Sequence, residues 1–251
     1  MSVAALEGLV PDWPAPPGVR SLCSTRNGGV SRGAYASLNV GEHVGDEPVA
    51  VAENRARLQR ALQGARPVFL NQVHGTGLIE LDGASAHGAS ADACATAQSL
   101  TACTIMVADC LPVLLCNAEG TRVAAAHAGW RGLAAGVLER ALASFGPGDP
   151  VMAWLGPCIG PGAFEVGSEV KAAFEAHSPD AALCFRPAAT EGKWFADLSA
   201  LARWRLRAAG VASVHGNDGT PPWCTVSQPS RFFSHRRDGV SGRFAACVWC
   251  V

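Results

Sequence analysis

Charge is scarce in this chain. Only 16% of its 251 residues are Asp, Glu, Lys or Arg, and their signs nearly cancel to a formal net charge of −1. A protein that neutralises nucleic-acid phosphates or docks on an anionic membrane carries a basic excess gathered into a patch. Here the arginines are scattered, apart from the pair Arg236–Arg237, so neither partner is expected. Long apolar runs are missing as well. The most apolar stretch, Cys103 to Cys116, is broken by Asp109 and Pro112 and falls short of the roughly 20 residues that span a bilayer. Met1 to Pro17 carries acidic residues, prolines and a glycine before any apolar run, which is not the pattern of an export signal. The ten cysteines therefore read as reduced thiols of a cytoplasmic protein and not as a disulfide framework. Repeats, low-complexity linkers and composition breaks are also absent, so one domain over residues 1–251 is the simplest organisation.

What is present is apolar: 49% of the residues are hydrophobic, enough for a sizeable core. Short, mostly buried strands are expected at Val19–Thr25, Val68–Val73, Thr104–Ala108, Val113–Cys116, Arg122–Ala126, Val151–Leu155 and Arg243–Trp249. Helical spacing is found at Gly132–Ser144, Ser168–Ala176 and Asp197–Ala209, the last stopped by Gly210. The Ala-, Ser- and Gly-rich segment Ala84–Gln98 reads as a loop. Strands outnumber helices without regular alternation. The expected fold is α+β: a single domain with a mixed β-sheet sandwich and flanking helices, not a doubly wound sheet.

Three residues stand at the ends of apolar strands: His74, Cys110 and His127. Strand ends hold side chains rigidly over a cleft, where a preorganised site belongs. Two imidazoles and a thiolate suit zinc or copper and do not suit magnesium or calcium. A cysteine in an apolar strand is more often a small core residue, which fits Cys94, Cys103, Cys116, Cys247 and Cys250. The 35 and 16 residues between the three candidates match no compact zinc-binding motif, so spacing alone leaves both readings open.

The strings Asn71-Gln-Val-His74-Gly75, Ala108-Asp-Cys110-Leu-Pro112 and Ala126-His127-Ala-Gly129-Trp-Arg131-Gly132 resemble the multicopper polyphenol oxidase (laccase-domain) family. That family is also described as peptidoglycan-editing-factor-like or bacterial purine nucleoside phosphorylase-like. The likeness continues through Ser24-Thr-Arg26-Asn-Gly-Gly-Val-Ser31, Ser37-Leu-Asn39-Val-Gly41, Leu155-Gly-Pro-Cys158-Ile-Gly160, Phe164-Glu165-Val166-Gly167 and Phe233-Ser-His235-Arg-Arg237-Asp-Gly239. It implies that His74, Cys110 and His127 bind zinc. It also implies a sandwich similar to the cysteine hydrolase fold of the cytotoxic-necrotizing-factor type. The implied substrates are purine nucleosides and phosphate: phosphorolysis of adenosine, inosine, guanosine and methylthioadenosine, with deamination of adenosine.

Laccase chemistry is disfavoured by what the chain lacks. A trinuclear copper cluster needs many histidines, often as His-X-His. Seven are present, the candidate site takes two of them, and no His-X-His pair occurs. Copper could still load the site in vitro, since it outcompetes zinc at many nitrogen and sulfur sites. Catalytic zinc keeps three protein ligands and an open position, and lowers the pKa of its water to about 7. Arg26, Arg131 and the free N–H groups of a helix starting near Gly129 are candidate phosphate partners. Asn39 and Gln72 are candidates for bonding ribose or base. Asp109 could carry a proton or orient a ligand, and as a strand neighbour of Cys110 it should point to the opposite face. Glu165 is the alternative carboxylate, and Cys158 could line the pocket. Two competing classes stay open. One is a cysteine hydrolase or amidase that edits peptidoglycan precursors, with Cys110 as nucleophile. The other is a non-catalytic protein with a structural metal. Either a monomer or a homodimer is compatible with the sequence.

Overall fold

The computed structural model describes Leu6 and residues 8–251. Its strands are, in chain order, β1 (Gly8–Leu9), β2 (Val19–Ser24), β3 (Arg66–Phe69), β4 (Leu78–Glu80), β5 (Ala93–Thr96), β6 (Thr101–Val107) and β7 (Leu111–Asn117). They continue with β8 (Val123–Ala128), β9 (Val151–Leu155), β10 (Glu165–Gly167), β11 (Phe185–Pro187), β12 (Lys193–Ala196), β13 (Ser213–Gly216) and β14 (Phe244–Cys250). The helices are α1 (Pro48–Ala61), α2 (Trp130–Ala135), α3 (Val137–Leu142), α4 (Ser168–Glu175), α5 (Leu198–Ala208) and the single turn α6 (His235–Asp238). No helix among the described residues is long and apolar enough to cross a membrane.

Two mixed sheets carry the fold, and the α+β expectation holds. One runs β1-β2-β14-β6-β3, the other β13-β9-β7-β8-β5-β4, and a small third sheet runs β10-β12-β11. Strand alternation explains how they stack. In β6, Cys103, Ile105 and Val107 share a core with Cys94, Leu114, Cys116, Val123 and Ala125 of the second sheet. The intervening residues Ala102 and Met106 face outward onto Leu58 of α1 and Leu62 just after it. In the second sheet, Val113, Leu115, Ala124, Ala126 and Ala128 turn to the other side and pack with residues of α2 to α5. The order of layers is helix, sheet, sheet, helices.

Several boundaries differ from the sequence reading, for physical reasons. The strand expected to reach Val73 ends at Phe69, because His74 takes a positive φ of 60° and the chain turns before it. The helix expected over Gly132–Ser144 is two short ones. Gly136, with φ of 101°, closes α2 as a left-handed cap and α3 begins directly after it, a conformation that strains any residue with a Cβ. The segment expected to be a loop contains β5, a buried Ala-Cys-Ala-Thr strand paired to β8. Its small residues have weak β-propensity, and pairing overrides that. Helix α1 was not foreseen because one of its three buried contacts is polar: Val51, Asn54 and Leu58 face inward.

Helix α5 follows the expected pattern closely. Asp197 caps it, accepting from Ala200 N at 2.9 Å. Asp197→Ala should lower stability by about 1 kcal/mol, read as a shifted urea midpoint with an unchanged slope.

Candidate metal centre

The chain crosses from the first sheet to the second at residues 108–110, and the candidate site lies at this seam. His74 follows β3, Cys110 sits between β6 and β7, and His127 lies within β8. Their ligand atoms are all within 4.8 Å of one another, and they are the one such group of His, Cys, Asp or Glu among the described residues. Cys110 Sγ is 3.8 Å from His74 Nε2, and the two imidazole rings meet edge to face at 4.8 Å between centroids.

A buried carboxylate that the sequence reading missed holds this arrangement. Asp92 is fully buried and accepts from the amides of Val73 at 3.2 Å, His74 at 2.9 Å and Gly75 at 2.7 Å. Its Oδ1 also lies 2.8 Å from His127 Nδ1. The contact places a proton on His127 Nδ1 and leaves Nε2 as the donor atom facing Cys110, the usual means of fixing the tautomer of a metal-binding histidine. Burial alone would raise the Asp92 pKa. The hydrogen bonds from His127, Gly75 and His74 outweigh it and hold the carboxyl below its ordinary value. Nothing marked Asp92 in the sequence, where it is one acidic residue in a run of small ones.

The triad is electrostatically self-consistent. Burial would raise the Cys110 pKa, but His127 and His74 outweigh that and bring it down to about 6. Burial would lower that of His127, and Cys110 and Asp92 raise it to about 9 instead. Without a metal this is a thiolate beside a protonated His127; once the Nε2 proton leaves, two imidazoles and a thiolate at these separations are a donor set that fits a metal such as zinc. Gly129 makes room for it. A Cβ there would stand 2.9 Å from His74 Cδ2 and 3.0 Å from Cys110 Sγ.

The triad borders a cavity of about 420 Å³, within the range of small-molecule sites. Trp130, Ile159, Phe164 and Leu198 line it with apolar surface; His43, Gln72, Asp109, His235, Arg236 and Arg243 add polar groups. Gln72 reaches the cavity as expected, but its amide is engaged by the backbone of Met106, donating to O and accepting from N at 2.8 Å each. Asp109 also lines the cavity, and this corrects the strand argument. It lies in the crossing loop with φ of 92°, so Asp109 and Cys110 both face the site. Its carboxylate accepts from Thr225 Oγ1 at 2.6 Å and from Arg236 N at 2.7 Å, tying the Thr225 loop and the α6 turn to the centre.

Other expected residues lie elsewhere. Arg26 donates to Ala36 O at 2.8 Å and Pro229 O at 3.0 Å, stacks on Phe233, and does not line the cavity. Arg131 is exposed and lies over the Trp130 ring. The helix after Gly129 has only six residues, so its aligned dipole is small. Asn39 is fully buried and bonded to Gly41, Asp46 and Arg243. The Glu165 side chain is exposed outside the cavity. Cys158 is buried and also outside the lining; burial raises its pKa well above the ordinary thiol value. The cavity residues His43, Trp130, Ile159, Phe164, Leu198, His235, Arg236 and Arg243 were not foreseen as its lining. Trp130, Ile159, Phe164, His235 and Arg236 did fall in strings noted for their resemblance.

Two variants test the geometry. Asp92→Asn should weaken metal affinity roughly 10- to 100-fold, measured by competition with a chromogenic chelator. Gly129→Ala leaves all three ligands in place and should still lower metal occupancy, read by elemental analysis of folded protein.

Comparison with known proteins places the chain in a family. A family model described as multi-copper polyphenol oxidoreductase laccase matches residues 20–251. A purine nucleoside phosphorylase of Pseudomonas aeruginosa is 54% identical over 242 residues, covering 96% of this chain and 97% of that one. The purine nucleoside phosphorylase YfiH of Escherichia coli is 48% identical over 97% of this chain and 98% of its own. Among solved structures, a Neisseria meningitidis protein superposes with a TM-score of 0.91 at 49% identity, over 97% of this chain and 98% of that one. YlmD of Geobacillus stearothermophilus superposes with a TM-score of 0.85 at 30% identity, over 98% of each chain. All three ligand candidates lie within the matched span, and the chain belongs to the multi-copper polyphenol oxidoreductase laccase family.

Proposed function

We propose that this protein is a zinc-dependent purine nucleoside phosphorylase, acting on adenosine, inosine, guanosine and methylthioadenosine, and that it also deaminates adenosine. The observation that carries the reading is a cavity of nucleoside size with an apolar lining, bordered by two imidazoles and a thiolate. Relatives 54% and 48% identical bear the name purine nucleoside phosphorylase. Three protein donors leave a metal coordination position open. When bound, the metal supplies a Lewis-acid charge at the edge of the cavity.

The chain's own residues do the rest. Trp130, Ile159, Phe164 and Leu198 offer the flat apolar surface a purine requires. Asp92 fixes the His127 ring, and Asp109 holds the loops of Thr225 and Arg236 around the substrate. In phosphorolysis a phosphate oxygen bonds to ribose C1′ as the C1′–N9 bond breaks. The bond's electron pair leaves with the purine, which is protonated to the free base. In deamination water replaces the amine at C6 and ammonia is released. An oxidase built on several coppers has no support in the donor set, because the described residues hold no second cluster of ligands.

One observation favours a second reading, a cysteine hydrolase or amidase acting on peptidoglycan precursors. The Cys110 pKa, brought down to about 6 beside His74 and His127, is what a nucleophilic thiol would need. Chelation separates the two. Under the first reading, metal-quantified protein releases free base from nucleosides only with phosphate, and dialysis against chelator lowers the rate at least about 100-fold. Zinc restores it, and Cys110→Ala loses both metal and turnover. Full activity in metal-free protein would favour the nucleophile, and no turnover of any nucleoside would refute the phosphorylase.

A further inference from the structure

The cavity lining is uneven in origin. Its aromatic and aliphatic side chains, Trp130, Ile159, Phe164 and Leu198, come from the second sheet's helices and loops. Arg243 enters from the residue before β14 in the first sheet, and His43 from the one-turn helix Glu42–Val44. The triad lies at the seam between these sheets.

Arg243 is half-buried and held from several sides. Its backbone N donates to Asn39 Oδ1 at 2.8 Å, and the same oxygen accepts from Gly41 N at 2.9 Å. Its stem lies flat on Gly41, where a Cβ would come within 2.8 Å of Arg243 Cγ. Nη1 donates to the carbonyl oxygens of Ser241 at 2.9 Å and Gly242 at 3.0 Å. Nε and Nη2 have no partner among the described residues. One edge of the guanidinium is therefore anchored, and the other is available for a planar two-point contact. Burial lowers the Arg243 pKa from its ordinary value while Cys110 and Asp109 counter it, so Arg243 feels the centre electrostatically.

The other cations near the cavity are engaged differently. Arg55 donates from Nη1 to Glu42 at 2.5 Å and from Nε to Val40 O, and stacks on Phe69 at 4.0 Å. Arg236 is exposed, donates to Ala163 O and Glu165 O, and leans toward Phe164. His43 is exposed, lines the cavity and has no hydrogen-bond partner of its own. Its electrostatic neighbours include Arg243, Arg55, Glu42 and His127.

We propose that Arg243, with His43 beside it, forms the oxyanion subsite that receives inorganic phosphate, while the Trp130–Phe164 lining takes the purine. The proposal rests on the phosphorylase reading and adds the direction in which the nucleoside lies across the triad. It also gives Asn39 a purpose, since its buried amide bonds hold Arg243 in place.

Inorganic phosphate binding to the metal-loaded protein, measured by isothermal titration, tests the subsite without reference to turnover. Arg243→Gln should weaken it roughly 10- to 100-fold, the loss expected for a charge-assisted pair. Arg243→Lys should fall between that variant and the wild type, and His43→Gln, an exposed position, should lower it less. Metal content and melting temperature should stay near wild type in His43→Gln, so the result does not hang on the folding of one variant. In kinetics, KM for phosphate should rise by the same factor while KM for inosine changes less than about twofold. Phosphate binding that survives Arg243→Gln, or that is lost in Arg236→Gln instead, overturns the subsite even if phosphorolysis stands. Phosphate binding that depends on Arg243 without any phosphate-dependent base release leaves the subsite standing and removes the phosphorylase reading. A wild-type protein that binds no phosphate removes both.

Discussion

The site rests on one buried carboxylate. Asp92 gathers three successive amides, those of Val73, His74 and Gly75, and one ring nitrogen of His127 onto two oxygen atoms. A buried charge without partners is very costly; here every approach to it is filled by a donor. The same contacts pin His74, whose positive φ would otherwise be unfavourable for a residue with a side chain. Two metal-ligand candidates, one following a strand of the first sheet and one within the second, are thereby located by a third residue that does not itself line the cavity.

Backbone strain is concentrated near this point. Among the described residues with positive φ other than glycine, two of the four, His74 and Asp109, belong to the site. Unfavourable backbone states persist where surrounding structure fixes them and are frequent at functional centres. Each has visible support: Asp92 beneath His74, and Thr225, Arg236 and Ile159 around Asp109. The loops that close around the cavity are thus referred back to the rigid crossing between β6 and β7.

The three ligand candidates stood out in the sequence as functional residue types beside apolar strands, although His74 lies five positions past the end of β3 and His127 inside β8. The strands themselves were legible for a similar reason, and β9 matches its expected span Val151–Leu155. What could not be read is informative. Asp92 sits before a strand of small residues that lacks the β-branched signature, so neither the strand nor its acidic neighbour stood out. Arg26 and Arg243 are the same residue type; one gives its guanidinium to carbonyls of neighbouring loops and the other keeps an edge toward a cavity. That difference depends on contacts across more than 200 positions of sequence, such as Arg26 to Pro229 and Arg243 to Asn39. Local pattern has no access to it. The Asn39 string was legible as a motif, but its buried bonds to Gly41, Asp46 and Arg243 could be seen only in the fold.

The crossing of the chain at residues 108–110 has a mechanical consequence. Because His74 follows a strand of the first sheet and His127 lies in the second, a bound ion would tie the layers together in the way a cross-link does, and its binding energy would become part of the energy of folding. The core that the two sheets already share includes five cysteines and three alanines, whose small side chains bury less area each than leucine or phenylalanine would. An ion at the seam would reinforce the layer contact at the end that borders the cavity. Under the proposed reading, removing a bound ion would therefore loosen the edge of the sandwich that borders the cavity, so that metal content and the integrity of that edge would rise and fall together.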